Sequence, residues 1–167
     1  MSDRVPMEVV GVRVELPTNT PILLLRERDG SRYLPIWIGT PEATAIALAL
    51  EGIETARPLT HDLTKTLLDV LGADIERVDV TSLEGGTFFA EIVIESDGEQ
   101  FTISSRPSDA IALATRTGSP VYATPELLDE AGVEIHDDGE EEEIERFREF
   151  LDHVTPEDFE SGPQATS

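Results

Sequence analysis

The pentapeptide AIALA occurs twice in this sequence, at residues 45–49 and at residues 110–114. Each copy lies in an apolar segment that follows a proline and ends at a glycine, a punctuation typical of helices. A shift of 65 residues superimposes the two copies and places Ile38 on Ile103. Because alternating segments precede each helix, the pattern predicts an internal duplication of strand, strand, strand and helix. Since identity outside the pentapeptide is low, a chance match between two alanine-rich helices is the alternative interpretation.

The strands are predicted from period-two alternation of apolar and polar residues. In the first of them, MEVVGVRVEL, Val10, Val12 and Val14 fall on one side of the chain. The turn sequences RDGS and DGE separate pairs of such segments, which indicates hairpins. The predicted strands cover residues 7–16, 21–27, 32–39, 74–83, 87–96, 100–105 and 120–123. The predicted helices cover residues 40–52, 60–72, 106–118 and 124–132. The expected fold class is therefore α+β, a single domain of mixed or antiparallel sheet with packed helices.

The helix starts share one pattern. Thr40, Thr60 and Thr124 are predicted to cap their helices. Each helix also carries an acidic residue in its first turn, where the positive end of the helix dipole favours a negative charge. These first-turn acids are Glu42, Asp62, Asp109 and Glu126. The second helix carries one apolar face, made by Leu63, Leu67, Leu68 and Leu71.

Composition divides the chain near residue 134. Residues 1–133 carry 22 acidic and 10 basic residues and are predicted to form the folded domain. Residues 134–167 carry 13 acidic and two basic residues and are predicted to form an acidic linker, an amphipathic helix and a disordered tail. The apolar stripe of that helix consists of Ile144, Phe147, Leu151 and Val154. Because such a stripe needs cover, we expect a homo-oligomer, or a protein partner for the acidic C-terminal helix.

The composition also limits the function. The chain has 35 acidic and 12 basic residues, a net charge of −23, and no cysteine. A surface this acidic repels phosphate backbones, so action on nucleic acid would need a local arginine patch or bridging cations. Without cysteine, disulfides and thiolate chemistry are excluded. No segment is typical of a membrane span or a signal peptide, so we expect a cytoplasmic protein with no membrane contact.

Two Arg-Pro motifs, RPLTHDL at residues 57–63 and RPSDAIALA at residues 106–114, supply the candidate functional residues. If the long helices begin on one side of the sheet, their polar groups converge there, and arginines with helix N-termini bind phosphate. The candidate catalytic residues are Arg57, His61, Asp62, Arg106, Ser108 and Asp109. The candidate metal ligands are Glu42, Asp62 and Asp109. The alternative is that these residues only begin helices and form structural ion pairs.

Four motifs, in this order, resemble the bifunctional nuclease family of single-domain, DNase- and RNase-like proteins. They lie within roughly residues 7–132 and read YLPIWIGTPEATAIALALEG, RPLTHDL, EGGTFFAEI and RPSDAIALA. The later segment FREFLDHVTPEDF is similar to a C-terminal extension of some bacterial members. The resemblance implies an α+β domain, oligomerisation, and nuclease activity on DNA and RNA. It assigns no catalytic role to an individual residue, so the candidate residues come from the motif positions alone.

Three functions follow from these observations. The first is a metal-assisted nuclease, in which Mg²⁺ or Mn²⁺ held by carboxylates readies a water, an arginine offsets phosphate charge, and His61 acts as general acid or base. The second is a non-catalytic regulatory or protein-interaction module with an acidic surface. The third is a small-anion sensor built on helix N-termini. The net charge favours the second function, and the resemblance favours the first.

Overall fold

A computed structural model describes residues 3–134 as one eight-stranded sheet with four helices. The strands are β1 (Val5–Glu15), β2 (Thr20–Glu27), β3 (Arg32–Trp37), β4 (Asp74–Glu84), β5 (Thr87–Ser96), β6 (Glu99–Ser105), β7 (Val121–Ala123) and β8 (Val133–Glu134). The helices are α1 (Thr40–Leu50), α2 (Thr60–Val70), α3 (Pro107–Thr117) and α4 (Pro125–Ala131). The predicted α+β class is confirmed. Of the predicted linker, helix and tail at 134–167, all but Glu134 lie outside the described residues.

The strand order in the sheet is β6-β5-β4-β7-β1-β2-β3-β8. All neighbours are antiparallel except β4 and β7, which are parallel. Two antiparallel meanders, β1 to β3 and β4 to β6, therefore flank β7 and run in opposite directions. A helix follows each meander, α1 after the first and α3 after the second, which is the predicted order of strand, strand, strand and helix.

The two pentapeptides form corresponding parts of the core. Ile46 of α1 and Ile111 of α3 have no exposed surface, and both belong to the central apolar cluster. Helices α1 and α3 pack on each other. In addition, α1 packs on β1 and β2, and α3 packs on β4 and β5. The alanines between the larger residues allow this close contact because helix separation depends on side-chain size. The repeated sequence thus marks where the two halves of the domain meet.

The alternation of β1 is interrupted by a bulge. Val9 lies opposite Leu25 and Gly11 lies opposite Leu24, so Val10 has no residue opposite it. An extra residue moves the following side chains to the other face of the strand. The prediction that Val10 shares the buried side of Val12 is therefore wrong, and Val10 is 37% exposed.

Two of the three predicted N-caps are displaced by one residue. The N-caps of α1 and α2 are Gly39 and Leu59, so Thr40 and Thr60 are instead the first residues of their helices. At α2 the reason is that a first-turn carboxylate, and not a threonine hydroxyl, accepts the N–H of Leu59. The prediction for α4 is confirmed, because the Thr124 hydroxyl accepts the N–H of Leu127 at 3.3 Å.

Helix α2 lies on the outside of the domain, and each of its residues is at least partly exposed. Leu63, Leu67 and Leu71, from its predicted apolar face, are 51%, 53% and 75% exposed, whereas Leu68 packs against the core. The helix packs on α3, and polar contacts described below join the two. Within residues 3–134, no helix is long and apolar enough to cross a membrane.

Candidate active site

The first turns of α1, α2 and α3 meet, because α3 packs between the other two helices. Four polar residues come together there, one from the start of α1, one from α2 and two from α3. We call them the helix-start cluster: Glu42, His61, Arg106 and Asp109. In sequence, the two Arg-Pro motifs that supply three of them are far apart, so the cluster is a product of the helix packing.

Arg106, the N-cap of α3, joins the starts of α1 and α3. Its Nη2 lies 2.9 Å from Glu42 Oε1, and both Nε and Nη2 lie 2.8 Å from Asp109 Oδ2. The hydrogen bond with Asp109, followed by that with Glu42, raises the pKa of the guanidinium above its ordinary value. The Arg106 side chain is 64% exposed and that of Glu42 only 15%, so the arginine forms the outer surface of the cluster.

Asp109 joins α2 to α3 with its second oxygen. His61 Nε2 lies 2.9 Å from Asp109 Oδ1, and the His61 side chain is 12% exposed. A carboxylate that holds one ring nitrogen fixes the orientation of the imidazole. Asp109 therefore binds a histidine on one oxygen and an arginine on the other.

Asp62 follows His61 in sequence but belongs to a separate contact. Its Oδ1 accepts a 2.7 Å hydrogen bond from Arg116 Nε, and its Oδ2 accepts the N–H of Leu59 at 2.9 Å. These bonds, that of Arg116 first, hold the pKa of Asp62 below its ordinary value. Arg116 also donates to the Ala112 carbonyl. Asp62 is thus part of the ion pair that fastens α2 to α3.

Arg116 is not among the residues predicted from the sequence. The signal was present, because Arg116 stands seven residues after Asp109, two turns along the same face of α3. Its side chain is only 8% exposed, and a mostly buried arginine requires a carboxylate partner. That partner, Asp62, is 54 residues away in the chain, so the pairing itself was not readable from local sequence.

The other two candidate residues lie apart from the cluster's bonds. Ser108 is buried in the first turn of α3, with 5% of its surface exposed. Arg57 is exposed in the loop before α2, and its carbonyl accepts the hydroxyl of Thr55 at 2.6 Å. Among residues 3–134, no described group makes a hydrogen bond or ion pair with the Arg57 side chain.

The candidate metal ligands are divided between two places. Glu42 and Asp109 each direct one oxygen to the same Arg106 nitrogen, Nη2, whereas Asp62 binds Arg116. Within residues 3–134, no three His, Cys, Asp or Glu side chains are arranged as a metal-binding group. What the structure brings together is a pair of carboxylates on one guanidinium.

Comparison with known proteins places the chain in a family. Residues 23–136 match the model of the bifunctional nuclease domain, and this region contains the whole helix-start cluster. An uncharacterized protein of Mycobacterium tuberculosis is 47% identical over 163 residues, covering 93% of this chain and 98% of that protein.

Two plant proteins are more distant relatives. Bifunctional nuclease 2 of Arabidopsis thaliana is 28% identical over 130 residues, which are 74% of this chain and 40% of the plant protein. Bifunctional nuclease 1 of the same plant is 27% identical over 123 residues, covering 71% of this chain and 38% of its own length. The plant relatives are therefore much longer than the region they share with this chain. The family match covers more than half of the sequence, and this chain is a member of the bifunctional nuclease domain family.

Proposed function

We propose that this chain hydrolyses phosphodiester bonds of DNA or RNA, and that the helix-start cluster carries the reaction. The observation behind the proposal is the contact of Asp109 with both His61 and Arg106, which puts a carboxylate-held histidine beside an exposed cation. Hydrolysis of a phosphodiester by general acid–base catalysis uses a proton-transfer group beside a phosphate-binding group. The family match and the names of the plant relatives support the same chemistry.

In this proposal Arg106 binds the substrate phosphate. Its Nε and Nη2 are occupied by Glu42 and Asp109, whereas its Nη1 makes no hydrogen bond with residues 3–134. The exposed guanidinium therefore keeps N–H donors for a phosphate oxygen and offsets charge that develops there. Because residues 1–133 carry a net charge of −12, this local positive group matters more than it would on a basic surface.

His61 serves as the general acid or base. Asp109 holds Nε2, which leaves Nδ1 as the ring nitrogen that exchanges a proton with water or with the leaving oxygen. Asp109 fixes the orientation of the ring, as a carboxylate does for the histidine of a catalytic triad. The small exposed fraction of the His61 side chain, 12%, limits its contact with bulk water.

A divalent cation, Mg²⁺ or Mn²⁺, is part of the proposal. Glu42 and Asp109 are the carboxylates that would hold it, as oxygen ligands of the kind these cations prefer, although both oxygens now contact Arg106 Nη2 within 2.9 Å. Such an ion, when bound, would offset phosphate charge and lower the pKa of a water. The ion would compete with Arg106 for these oxygens. Asp62 takes no part in this arrangement, because it is bound to Arg116.

The proposal is tested with single substitutions in the cluster, and every variant is purified by the same protocol. We expect His61→Ala, Asp109→Asn and Arg106→Ala each to lower the cleavage rate of single-stranded DNA and of RNA by about 100-fold or more. Cleavage should stop when a chelator is added and return with Mg²⁺ or Mn²⁺.

The matched control is Arg26→Ala, because Arg26 is a partly exposed arginine whose Nη2 lies 2.9 Å from Glu8, on β2 and outside the cluster. It should cleave like the native chain. If all three cluster variants cleave at the native rate, the activity lies elsewhere or belongs to a contaminant, and the proposal is wrong.

A non-catalytic, protein-interaction module is the second candidate. The observation that favours it is that each charge in the cluster already has an opposite charge beside it, as in a structural ion-pair network. Purified native protein that is folded yet fails to cleave with either metal would support this function. If the protein has this second function, the cluster variants should change the melting temperature and should show no effect on cleavage, because the native chain does not cleave.

A further inference from the structure

Strand β6 is an exposed edge of the sheet. Within residues 3–134 it pairs only with β5, and Phe101 and Ile103 are 48% and 47% exposed. Phe101 lies opposite Ile94 and Ile103 lies opposite Ile92, and both β5 isoleucines belong to the buried core. Directly opposite residues point to the same face, so the core face continues onto β6 without cover.

This edge lacks the usual devices that prevent pairing with another chain. Its seven residues, EQFTISS, contain no lysine or proline, and its register with β5 has no bulge. The opposite edge of the sheet is different, because β8 contributes only two residues, Val133–Glu134, to the part of the chain that the structure describes. An unprotected edge strand with exposed apolar side chains is a template for strand pairing.

The hairpin turn determines which backbone groups of β6 point outward. Asp97 and Gly98 have φ values of 51° and 79° and join Ser96 to Glu99 as a two-residue turn. The pair that closes such a turn is hydrogen-bonded, and hydrogen-bonded pairs then alternate along the ladder. By this alternation, Glu99, Phe101, Ile103 and Ser105 bond to β5. The N–H and C=O groups of Gln100, Thr102 and Ser104 face outward.

We propose that β6 pairs antiparallel with β6 of a second copy of this chain, across a twofold axis at Thr102. Thr102 then lies opposite Thr102 of the second copy, and Gln100 lies opposite Ser104, which engages all three outward-facing residues in about six backbone hydrogen bonds. The same register places Phe101 opposite Ile103 of the second copy, on the uncovered face. Because the axis repeats every contact, the interface is isologous.

The charges at the two ends of β6 also fit this register. Glu99 begins the strand, and Arg106, which is 64% exposed, directly follows it. In the proposed pairing Glu99 lies opposite Ser105 of the second copy and next to its Arg106. The twofold axis forms this acid–arginine approach twice. Self-complementary charge selects a second copy over an unrelated partner, and it places the interface beside the helix-start cluster of each subunit.

The test uses the absence of cysteine from the chain. In Thr102→Cys, the only two thiols of the dimer face each other across the axis at a separation of about 5.5 Å between Cα atoms, which a disulfide can span. We expect mild oxidation to convert most of this variant to a covalent dimer at micromolar concentration. Thr18→Cys, in the exposed turn between β1 and β2, is the matched control and should form no covalent dimer under the same oxidation.

A second variant tests the apolar contact. Ile103→Lys should reduce the mass measured by light scattering to that of fewer chains, with an unchanged circular dichroism spectrum, because Ile103 is exposed within one subunit. The proposal is overturned if the native chain has the mass of one 18.3 kDa chain at micromolar concentration. It is also overturned if Thr102→Cys cross-links no more than Thr18→Cys. Neither result depends on nuclease activity.

Discussion

Asp79 is the one charged residue among residues 3–134 that is buried, with 4% of its surface exposed. It lies on β4, where its Oδ2 contacts Arg4 Nε at 3.0 Å and Arg77 Nε at 3.1 Å. Its Oδ1 is buried and has no hydrogen-bond partner within the described chain. A carboxylate in this position forms ion pairs with two arginines. Its removal therefore breaks both ion pairs.

We therefore expect Asp79→Ala to lower the free energy of unfolding by about 1–3 kcal/mol, less than for a fully buried pair because the two arginine side chains are 33% and 20% exposed. Urea unfolding of the purified variant measures this value. The control is Glu8→Ala, which breaks the exposed pair with Arg26 and should cost about 0–1 kcal/mol. Equal losses in the two variants would mean that burial does not set the strength of the Asp79 contacts.

Asp62 makes stability depend on pH at the acid end. Its pKa is lowered in the folded state, mainly by Arg116, so its contribution is present above the unfolded value near 3.8 and is lost as pH falls through the lower folded value. We expect the native chain to exceed Asp62→Asn in unfolding free energy by more at about pH 6 than at about pH 3. A difference that stays constant or grows in acid would contradict this assignment.

At the scale of the element, α2 shows how an apolar stripe can mislead. The leucine spacing predicts one face, but only Leu68 of that face packs against the core, and the rest is exposed. The helix is fastened by His61 to Asp109 and by Asp62 to Arg116, both contacts with α3. Periodicity reports which residues share a face, and it does not report whether that face has a partner.

The two leucines allow a direct test of this placement. Leu68→Ala should cost about 1–2 kcal/mol of unfolding free energy, because it removes partly buried methyl groups from the core. Leu67→Ala, one residue earlier and 53% exposed, should cost less than about 0.5 kcal/mol. Chemical denaturation of both variants decides the matter. A larger loss for Leu67 would show that its face is covered in solution.

Most elements were predictable because their local signals are strong. Observed boundaries coincide with the RDGS and DGE turns. They also coincide with the proline at three helix starts and with the glycine after α3. The exceptions depend on pairing between distant segments or on a segment too short to carry a pattern. The bulge at Val10 could not be predicted from β1 alone, because it is defined by the pairing of β1 with β2. Strand β8 has too few described residues to carry a pattern. Likewise His61 and Asp109 were selectable by residue type, but their contact depends on the packing of α2 on α3.

At the scale of the whole molecule, the sequence predicts two meanders with helices but not their order in the sheet. The order depends on β7, whose three residues pair with β1 on one side and β4 on the other. So short a strand carries no information about its neighbours. The duplication hypothesis is correct for the element order, and the strand that joins the two copies lies outside the repeat.

The position of β7 in the chain also affects the order in which the sheet forms during synthesis. A ribosome releases the chain from its N-terminus, so both meanders emerge before residues 121–123. Until those residues arrive, β1 and β4 each have an unpaired edge, and the two halves are in contact through the packing of α3 on α1 but not through the sheet. We expect a nascent chain that ends at residue 118 to be cut rapidly by protease, and a chain with β7 and α4 released to resist. Synthesis thus completes the middle of this sheet after the two meanders that flank it.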